Sequence, residues 1–522
     1  MPASARVVKA LGVCISLAVS TAAALGKGPQ VATDMGMIEG KKEGRVNTFL
    51  GIPYAAPPVG DRRWRPPTPP QKWTGVRKAT SFGPRCMQAR EYDDMVFRDP
   101  GPSEDCLTLN VWTPADSRQS LPVMVWIYGG GFKAGSTSEP RQDGTNLAKH
   151  GVVVVSMNYR LGVFGFFTHP ELVTKSGNGA AGNYGFLDQV AALAWVQRNI
   201  AALGGDPRNV TIFGESAGSF SVSALMASPL AAGLFHKAIG ESGAAFFSRG
   251  MPFKGLAERQ QTDTQFAEAE LGMKSLKELR AVAASKLLKA ATKKQGSKNK
   301  YKFSPTVDNY FLPESVPRIF AQGKQNDVPL LAGWNQDEGD AELNGNANPT
   351  AAIRATAEKE FGPRATEFLQ LYPARTDGEA KRSLQDYNGD DFIAWSTWKW
   401  LEEQRATGKQ VVYRYRFDLS LPARDNPEGL GAYHSAEIEY VFGQLGSKKL
   451  PWRVEDRALS EQIQKYWTNF ARTGNPNGPG LPPWPAYGPH DGWQTMHLNA
   501  QSQAQRDDLR ARYEFLDRVW AK

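Results

Sequence analysis

Val210-Thr211-Ile212-Phe213-Gly214-Glu215-Ser216-Ala217-Gly218 is the stretch on which the reading of this chain turns. A β-favouring run leads directly into G-x-S-x-G, and Ser219–Met226 continues with helical character. A strand that ends in this motif and opens a helix must turn sharply, with small residues on both sides of the serine, because strand and helix come close together. The turn lifts the serine Oγ clear of the sheet, at the positive end of the helix. A second Gly-Glu-Ser, at Gly240-Glu241-Ser242-Gly243-Ala244, has its glycine at the wrong offset, so Ser242 reads as structural.

Working outward, the apolar runs Pro122–Tyr128, Gly151–Tyr159, Asn209–Gly214, His236–Gly240 and Val328–Gly333 read as buried parallel strands. Phe186–Leu203 carries apolar residues at helical spacing, and Gly204 suits a C-cap. Strands alternating with helices predict an α/β chain with a mostly parallel sheet covered on both faces, and chemistry at the carboxyl ends of its strands. The 522 residues, 41% of them hydrophobic, allow a large core. No linker, low-complexity tract or repeat divides them, so residues 25–522 are expected to form a single domain.

The N-terminus carries Arg6 and Lys9, an apolar stretch Ala10–Val19, and then Thr21-Ala22-Ala23-Ala24. That order predicts a secretory signal over residues 1–24, cleaved near Ala24, and the apolar run is too short to span a bilayer. Val13 before Cys14 and the apolar residues after it do not suit lipid attachment. Cys86 and Cys106 then remain, in an oxidising compartment, and read as a disulfide. Closing a loop of about twenty residues contributes roughly 3 kcal/mol. The net charge is +9, yet zinc-ligand spacing, helix-turn-helix cues and RNA-binding aromatics are absent, so no nucleic-acid partner is expected. No later segment reads as transmembrane, which predicts a secreted or periplasmic protein without stable membrane insertion.

The strand Val123–Tyr128 ends in Gly129-Gly130-Gly131-Phe132. Consecutive glycines let backbone N–H groups turn toward a negative oxygen, and Gly130, Gly131 and Ala217 would form an oxyanion hole. Gly129-x-Gly131-x-x-Ala134 also fits a dinucleotide fingerprint, but Gly135–Pro140 follows where the binding helix should start. A nucleophilic serine needs a base, and the chain order of such sites is serine, acid, histidine. His236, His434, His490 and His497 follow Ser216. His236 precedes any plausible acid strand, and His490 and His497 lie in a polar, Gly/Pro-rich region where solvated side chains are expected. His434, after Gly429-Leu430-Gly431, is the best candidate. For the acid, Asp337 and Glu338 both follow the Val328–Gly333 strand, and these residues alone leave them tied.

At this point the chain resembles the type-B carboxylesterases, the cholinesterase-like and bacterial carboxylesterase group of the α/β-hydrolase fold. Phe49–Ala55 with Pro57-Pro58-Val59-Gly60 is similar to the family's N-terminal signature, and Glu104–Val111 to its second. The Gly-Gly-Gly-Phe loop, Asn158–Gly162 and the Gly214–Gly218 elbow fall in family order. The resemblance implies Glu338 as the acid, strengthens His434 as the base of Ser216, and implies ion pairs Arg63–Glu104 and Arg160–Asp188. It also matches Cys86–Cys106 to the family's first disulfide loop. That loop lacks the tryptophan with which cholinesterases hold quaternary ammonium, and Phe97 is its nearest large aromatic, so a choline ester is not expected.

The implied reaction is ester hydrolysis through an acyl-enzyme, with a small-molecule ester as partner and no metal or organic cofactor. A catalytically idle binding protein and a hydrolase of short-chain neutral esters are the alternatives. Lys133 follows the glycine loop, and Lys298, Lys300 and Lys302 interleave with Tyr301 and Phe303. By resemblance, Lys133, Tyr301 and Phe303 line a gorge to the serine. Its lysines would favour esters with carboxylate-bearing acyl groups, such as the tricarballylate esters of fumonisin-type toxins.

Overall fold

The computed structural model describes residues 28–115, 120–246, 253–339 and 348–520. The expected signal segment, residues 1–24, lies outside them. Eleven strands form the main sheet. In chain order they are β1 (Lys41–Glu43), β2 (Val46–Pro53), β3 (Thr108–Pro114), β4 (Leu121–Ile127), β5 (Val153–Met157) and β6 (Gly205–Glu215). β7 (Lys237–Glu241), β8 (Leu330–Asn335), β9 (Val412–Phe417), β10 (Gln494–Leu498) and β11 (Gln503–Arg506) complete it.

The spatial order is β11-β10-β9-β8-β7-β6-β4-β5-β3-β2-β1. The run from β10 to β5 is parallel throughout, while β3, β2 and β1 at one edge and β11 at the other are antiparallel. All five apolar runs of the sequence fall in the parallel part. Their residues are buried on both faces, which explains why they read as continuous apolar stretches and not as alternating ones.

Helix α1 (Tyr184–Asn199) and a 3-10 turn (Ile200–Leu203) occupy the predicted helical span, and Gly204 caps them in the left-handed region at φ 87°. Helix α2 (Ala217–Ala227) follows β6. Helices α3 (Trp395–Thr407) and α4 (Val454–Thr473) complete the cover near the centre. Gly240 of β7 lies under Ser219 of α2 and Trp400 of α3, whereas its neighbour Glu241 accepts a 2.7 Å hydrogen bond from Trp467 of α4. Successive strand residues face opposite sides, so α2 and α3 cover one face and α4 the other.

Both ion pairs implied by the resemblance are present. Arg63 Nε and Nη2 each donate to Glu104 at 2.7 Å, and Arg160 meets Asp188 through Nε at 2.8 Å and Nη2 at 2.7 Å. Cys86 and Cys106 are bonded. Their loop is tied to the segment after the glycine loop, where Gln88 both donates to and accepts from the Gly135 backbone.

The junction of β4, β6 and α2 is the tightest point of the sheet. A Cβ on Gly218 would stand 1.9 Å from the Ile127 carbonyl oxygen, and one on Gly214 2.6 Å from the same atom. Because both obstacles are backbone, neither can move aside cheaply. Gly218→Ala is therefore expected to lose about 3 kcal/mol or more in urea unfolding, the upper end of overpacking costs. A loss below about 1 kcal/mol would show that the junction is looser than these distances indicate.

Candidate active site

Ser216 sits between β6 and α2 with φ 52° and ψ −122°, a conformation that L-residues rarely adopt. Ser216 N donates to the Glu241 carbonyl at 2.9 Å, and Phe220 N closes the first helical turn onto the Ser216 carbonyl. Its hydroxyl has no hydrogen-bond partner among the described residues and faces a cavity of about 920 Å³. The cavity opens at the carboxyl ends of β4, β6 and β8, where parallel α/β sheets place their ligands.

Gly130 and Gly131, at φ 99° and 62°, line this cavity beside Ser216. The Gly130 carbonyl accepts from Lys133 N and Ala134 N, which curls the loop into a tight turn. The N–H groups of Gly130 and Gly131 have no acceptor among the described residues, and Ala217, as the first residue of α2, has none within its helix. A Cβ on Gly129 would stand 2.9 Å from the Ser216 Cβ, so only glycine lets the loop lie against the elbow. A tight turn, not a helix, follows the glycines. That rules out the dinucleotide reading of this loop.

The structure brings His434 and Glu338 together. His434 Nδ1 is 2.6 Å from Glu338 Oε2, and Glu338 Oε1 accepts from Asn335 N at 2.9 Å. Asp337, the other carboxylate of the tie, faces away from the imidazole. Its Oδ2 accepts from Ala432 N at 2.8 Å, its own N–H donates to the Ala432 carbonyl, and Arg382 donates to Oδ1 at 2.8 Å. Asp337 thus clamps the Gly431–His434 loop onto the end of β8, and Glu338 receives the ring.

Glu215, the variable residue of G-x-S-x-G, is a participant the sequence reading did not single out. Its Oε1 is 3.2 Å from His434 Nε2 without hydrogen-bond geometry, and no such bond links Nε2 to Ser216 Oγ. Burial pushes Glu215 up to about 8 against the opposing pull of His434. Burial alone would lower His434, but the carboxylates of Glu338 and Glu215 outweigh it and raise the imidazole to about 9. Burial also raises Glu437, to about 7.

The remaining histidines lie elsewhere. His236 accepts from Val210 N at the opposite end of the sheet, and His490 is exposed. His497 differs from its expectation. It is buried in β10 with Nδ1 2.5 Å from Asp418, because the tail segment supplies an interior strand that its polar neighbours concealed. Ser242 is fully buried and does not line the cavity.

Lys133, Tyr301 and Phe303 all line the cavity. Lys133 is already paired with Glu91 at 2.8 Å, and the Tyr301 hydroxyl donates to Glu270 at 2.7 Å. Lys298 and Lys302 also line it, whereas Lys300 turns to Glu270. From the disulfide loop it is Tyr92, not Phe97, that reaches the cavity, and Phe97 stacks under Arg85.

A glycine-lined strand-to-helix elbow, free N–H groups beside it and a carboxylate-bound histidine define the α/β-hydrolase class of architecture. The model of the Carboxylesterase family matches residues 27–516, and the chain belongs to that family. It is 39% identical to the para-nitrobenzyl esterase of Bacillus subtilis (strain 168), over 88% of this chain and 92% of that one. It is 37% identical to the fumonisin B1 esterase of Sphingopyxis macrogoltabida, over 87% of this chain and 84% of that protein. Among solved structures, a para-nitrobenzyl esterase superposes with a TM-score of 0.79 at 37% identity, covering 93% of this chain and 99% of the other. A Geobacillus stearothermophilus carboxylesterase reaches 0.80 at 34% identity, covering 92% and 99%.

The raised His434 pKa carries a definite sign. A histidine held above its ordinary value of about 6.5 adds stability in full below that value, and the gain is lost as pH rises through its folded pKa. In an NMR titration the His434 ring is expected to release its proton above pH 7, and Glu338→Gln should move that midpoint down. A midpoint unmoved by Glu338→Gln would separate the imidazole from this carboxylate.

Proposed function

We propose that this carboxylesterase hydrolyses its ester through an acyl-enzyme on Ser216. The observation that carries the reading is the 2.6 Å contact of His434 with Glu338 beside an unpartnered Ser216 hydroxyl. Ser216 Oγ attacks the ester carbonyl carbon as His434 Nε2 takes its proton, and Glu338 holds the ring and stabilises the imidazolium. The oxyanion accepts from the N–H groups of Gly130, Gly131 and Ala217. Collapse of the intermediate breaks the C–O bond, and the alkoxide leaves with the proton from Nε2. Water, deprotonated by the same nitrogen, then attacks the acyl carbon and releases the acid and Ser216.

The base must be neutral to act. Burial raises Glu215 and so weakens one of the two attractions on the imidazolium. Nε2 then needs only a ring adjustment, away from Glu215 and toward Ser216 Oγ, of the kind that tightens when substrate binds.

The narrower reading is an ester whose acyl part carries free carboxylates, of the tricarballylate type. The lysine-bearing wall of the cavity supports it, as does the similarity to a fumonisin B1 esterase. The Cys86–Cys106 bond supports the exported location expected from residues 1–24, since such bonds persist in oxidising compartments.

Ser216→Ala is expected to lose about 10⁶ in turnover and all labelling by a fluorophosphonate, with the fold retained. Glu338→Gln should lose about 10⁴, because the ring loses its orienting carboxylate. Asp337→Asn should lose far less, since one amide oxygen still serves the Ala432 N–H. Near-normal turnover in Ser216→Ala, or the reverse order of the two acids, would end this assignment. For the narrower reading, butyl tricarballylate and butyl butyrate share one alcohol and differ in acyl charge. At low salt kcat/KM should be about tenfold higher for the tricarballylate, the scale of a few ion pairs, and equal values would refute an anionic preference.

A further inference from the structure

We propose that the hairpin spanning Lys294–Lys302, and not Lys133, is the subsite that reads carboxylates on the substrate. The inference rests on the ester-binding reading of the cavity given above, and it deepens that reading by separating cations that are already neutralised from those that are free.

Six basic side chains line the cavity: Lys133, Arg141, Lys294, Lys298, Lys302 and Lys448. Three of them have carboxylate partners. Lys133 pairs with Glu91 at 2.8 Å, Arg141 with Glu139 at 2.8 Å, and Lys448 with Glu439 at 2.9 Å. Each of these pairs is close to neutral and offers little net attraction to an incoming anion. Lys294, Lys298 and Lys302 have no ion pair among the described residues, and all three are exposed along the same wall.

The hairpin is also held in place. Lys294–Gln295 pairs antiparallel with Lys298–Asn299, and Lys300 N donates to the Lys293 carbonyl at 2.9 Å. Behind it, Glu270 accepts from Lys293, Lys300 and Tyr301, each at 2.7 Å. One carboxylate therefore anchors two lysines and a tyrosine of the segment, while the other three lysines stay unpaired at the cavity. Phe303, buried against Phe266 at 5.0 Å, fixes the end that leads inward. This arrangement presents separated positive charges to a ligand held at Ser216. It fits an acyl group with two or more free carboxylates better than one with a single negative charge.

The test uses full-length enzyme and the ratio of kcat/KM for butyl tricarballylate to that for butyl butyrate. In Lys294→Gln/Lys298→Gln/Lys302→Gln the ratio should fall about eightfold, the product of three exposed contacts of about twofold each. Raising NaCl from about 0.02 to about 0.5 M should shrink the wild-type ratio and leave the variant's nearly flat, since screening acts on exposed charge. Lys133→Met/Glu91→Gln, which removes both members of one pair, should keep the wild-type ratio. Fluorophosphonate labelling of Ser216 shows that each variant is folded. A triple variant that keeps the ratio, or a Lys133/Glu91 variant that loses as much as the triple, overturns the hairpin assignment. A wild-type enzyme with no preference for the carboxylated ester overturns the reading on which it rests.

Discussion

The absence of Cβ atoms where β4 and β6 end side by side is the constraint on which the rest of this site depends. Gly129 must lie against Ser216, Gly214 and Gly218 must pass the Ile127 carbonyl, and Gly130 must pass the Ala134 carbonyl. Methyl groups at these positions would meet backbone atoms within 3 Å. Because the backbones can approach this closely, the glycine loop and the start of α2 meet beside Ser216 at the cavity. The strained φ of Ser216 persists because its N–H is bonded to Glu241 and its carbonyl to Phe220, so the surrounding hydrogen bonds determine it fully.

A second constraint is electrostatic. Glu215, Glu241, Glu338 and Glu437 are all buried, and Glu215 and Glu338 line the cavity. Four buried carboxylates could not all stay ionised, and burial raises Glu215, Glu241 and Glu437 accordingly. Glu338 is set apart by its ligands, since it alone has both the His434 ring and the Asn335 N–H on its two oxygens. Environment, not residue type, thus separates the carboxylate that meets the histidine from its buried neighbours.

Much of this was legible in the sequence because it depends on local spacing. The elbow, the glycine loop, the parallel strands and the Gly204 cap each follow from a few adjacent residues. The choice between Asp337 and Glu338 was not legible from residues alone, because both follow the same strand and only the register of the His434 loop separates them. An isolated bridge between Asp337 and Tyr433 sets that register, across a separation no pattern reveals. Glu215 was hidden differently. It occupies the free position of the motif, and only the fold brings His434 to it. His497 was misread because polar, turn-forming neighbours flank a strand that the sheet then buries between β9 and β11.

The floor and the rim of the cavity answer to different demands. Around Ser216 the glycines are fixed by backbone packing, so a change at Gly129, Gly214 or Gly218 costs stability as well as chemistry. The Lys294–Lys302 hairpin packs little and is held through Glu270, so its exposed residues can vary without disturbing the sheet. A counter-ion already in place decides whether a basic residue on such a wall acts on a ligand. Lys133 lies nearest the glycine loop in sequence, yet its charge is met by Glu91 before any substrate arrives. Lys294, Lys298 and Lys302 lie further along the chain and carry charge that no ion pair among the described residues meets, whereas Lys300 between them is held by Glu270. A count of basic side chains around the cavity therefore overstates the positive charge it presents, because Lys133, Arg141 and Lys448 are already paired.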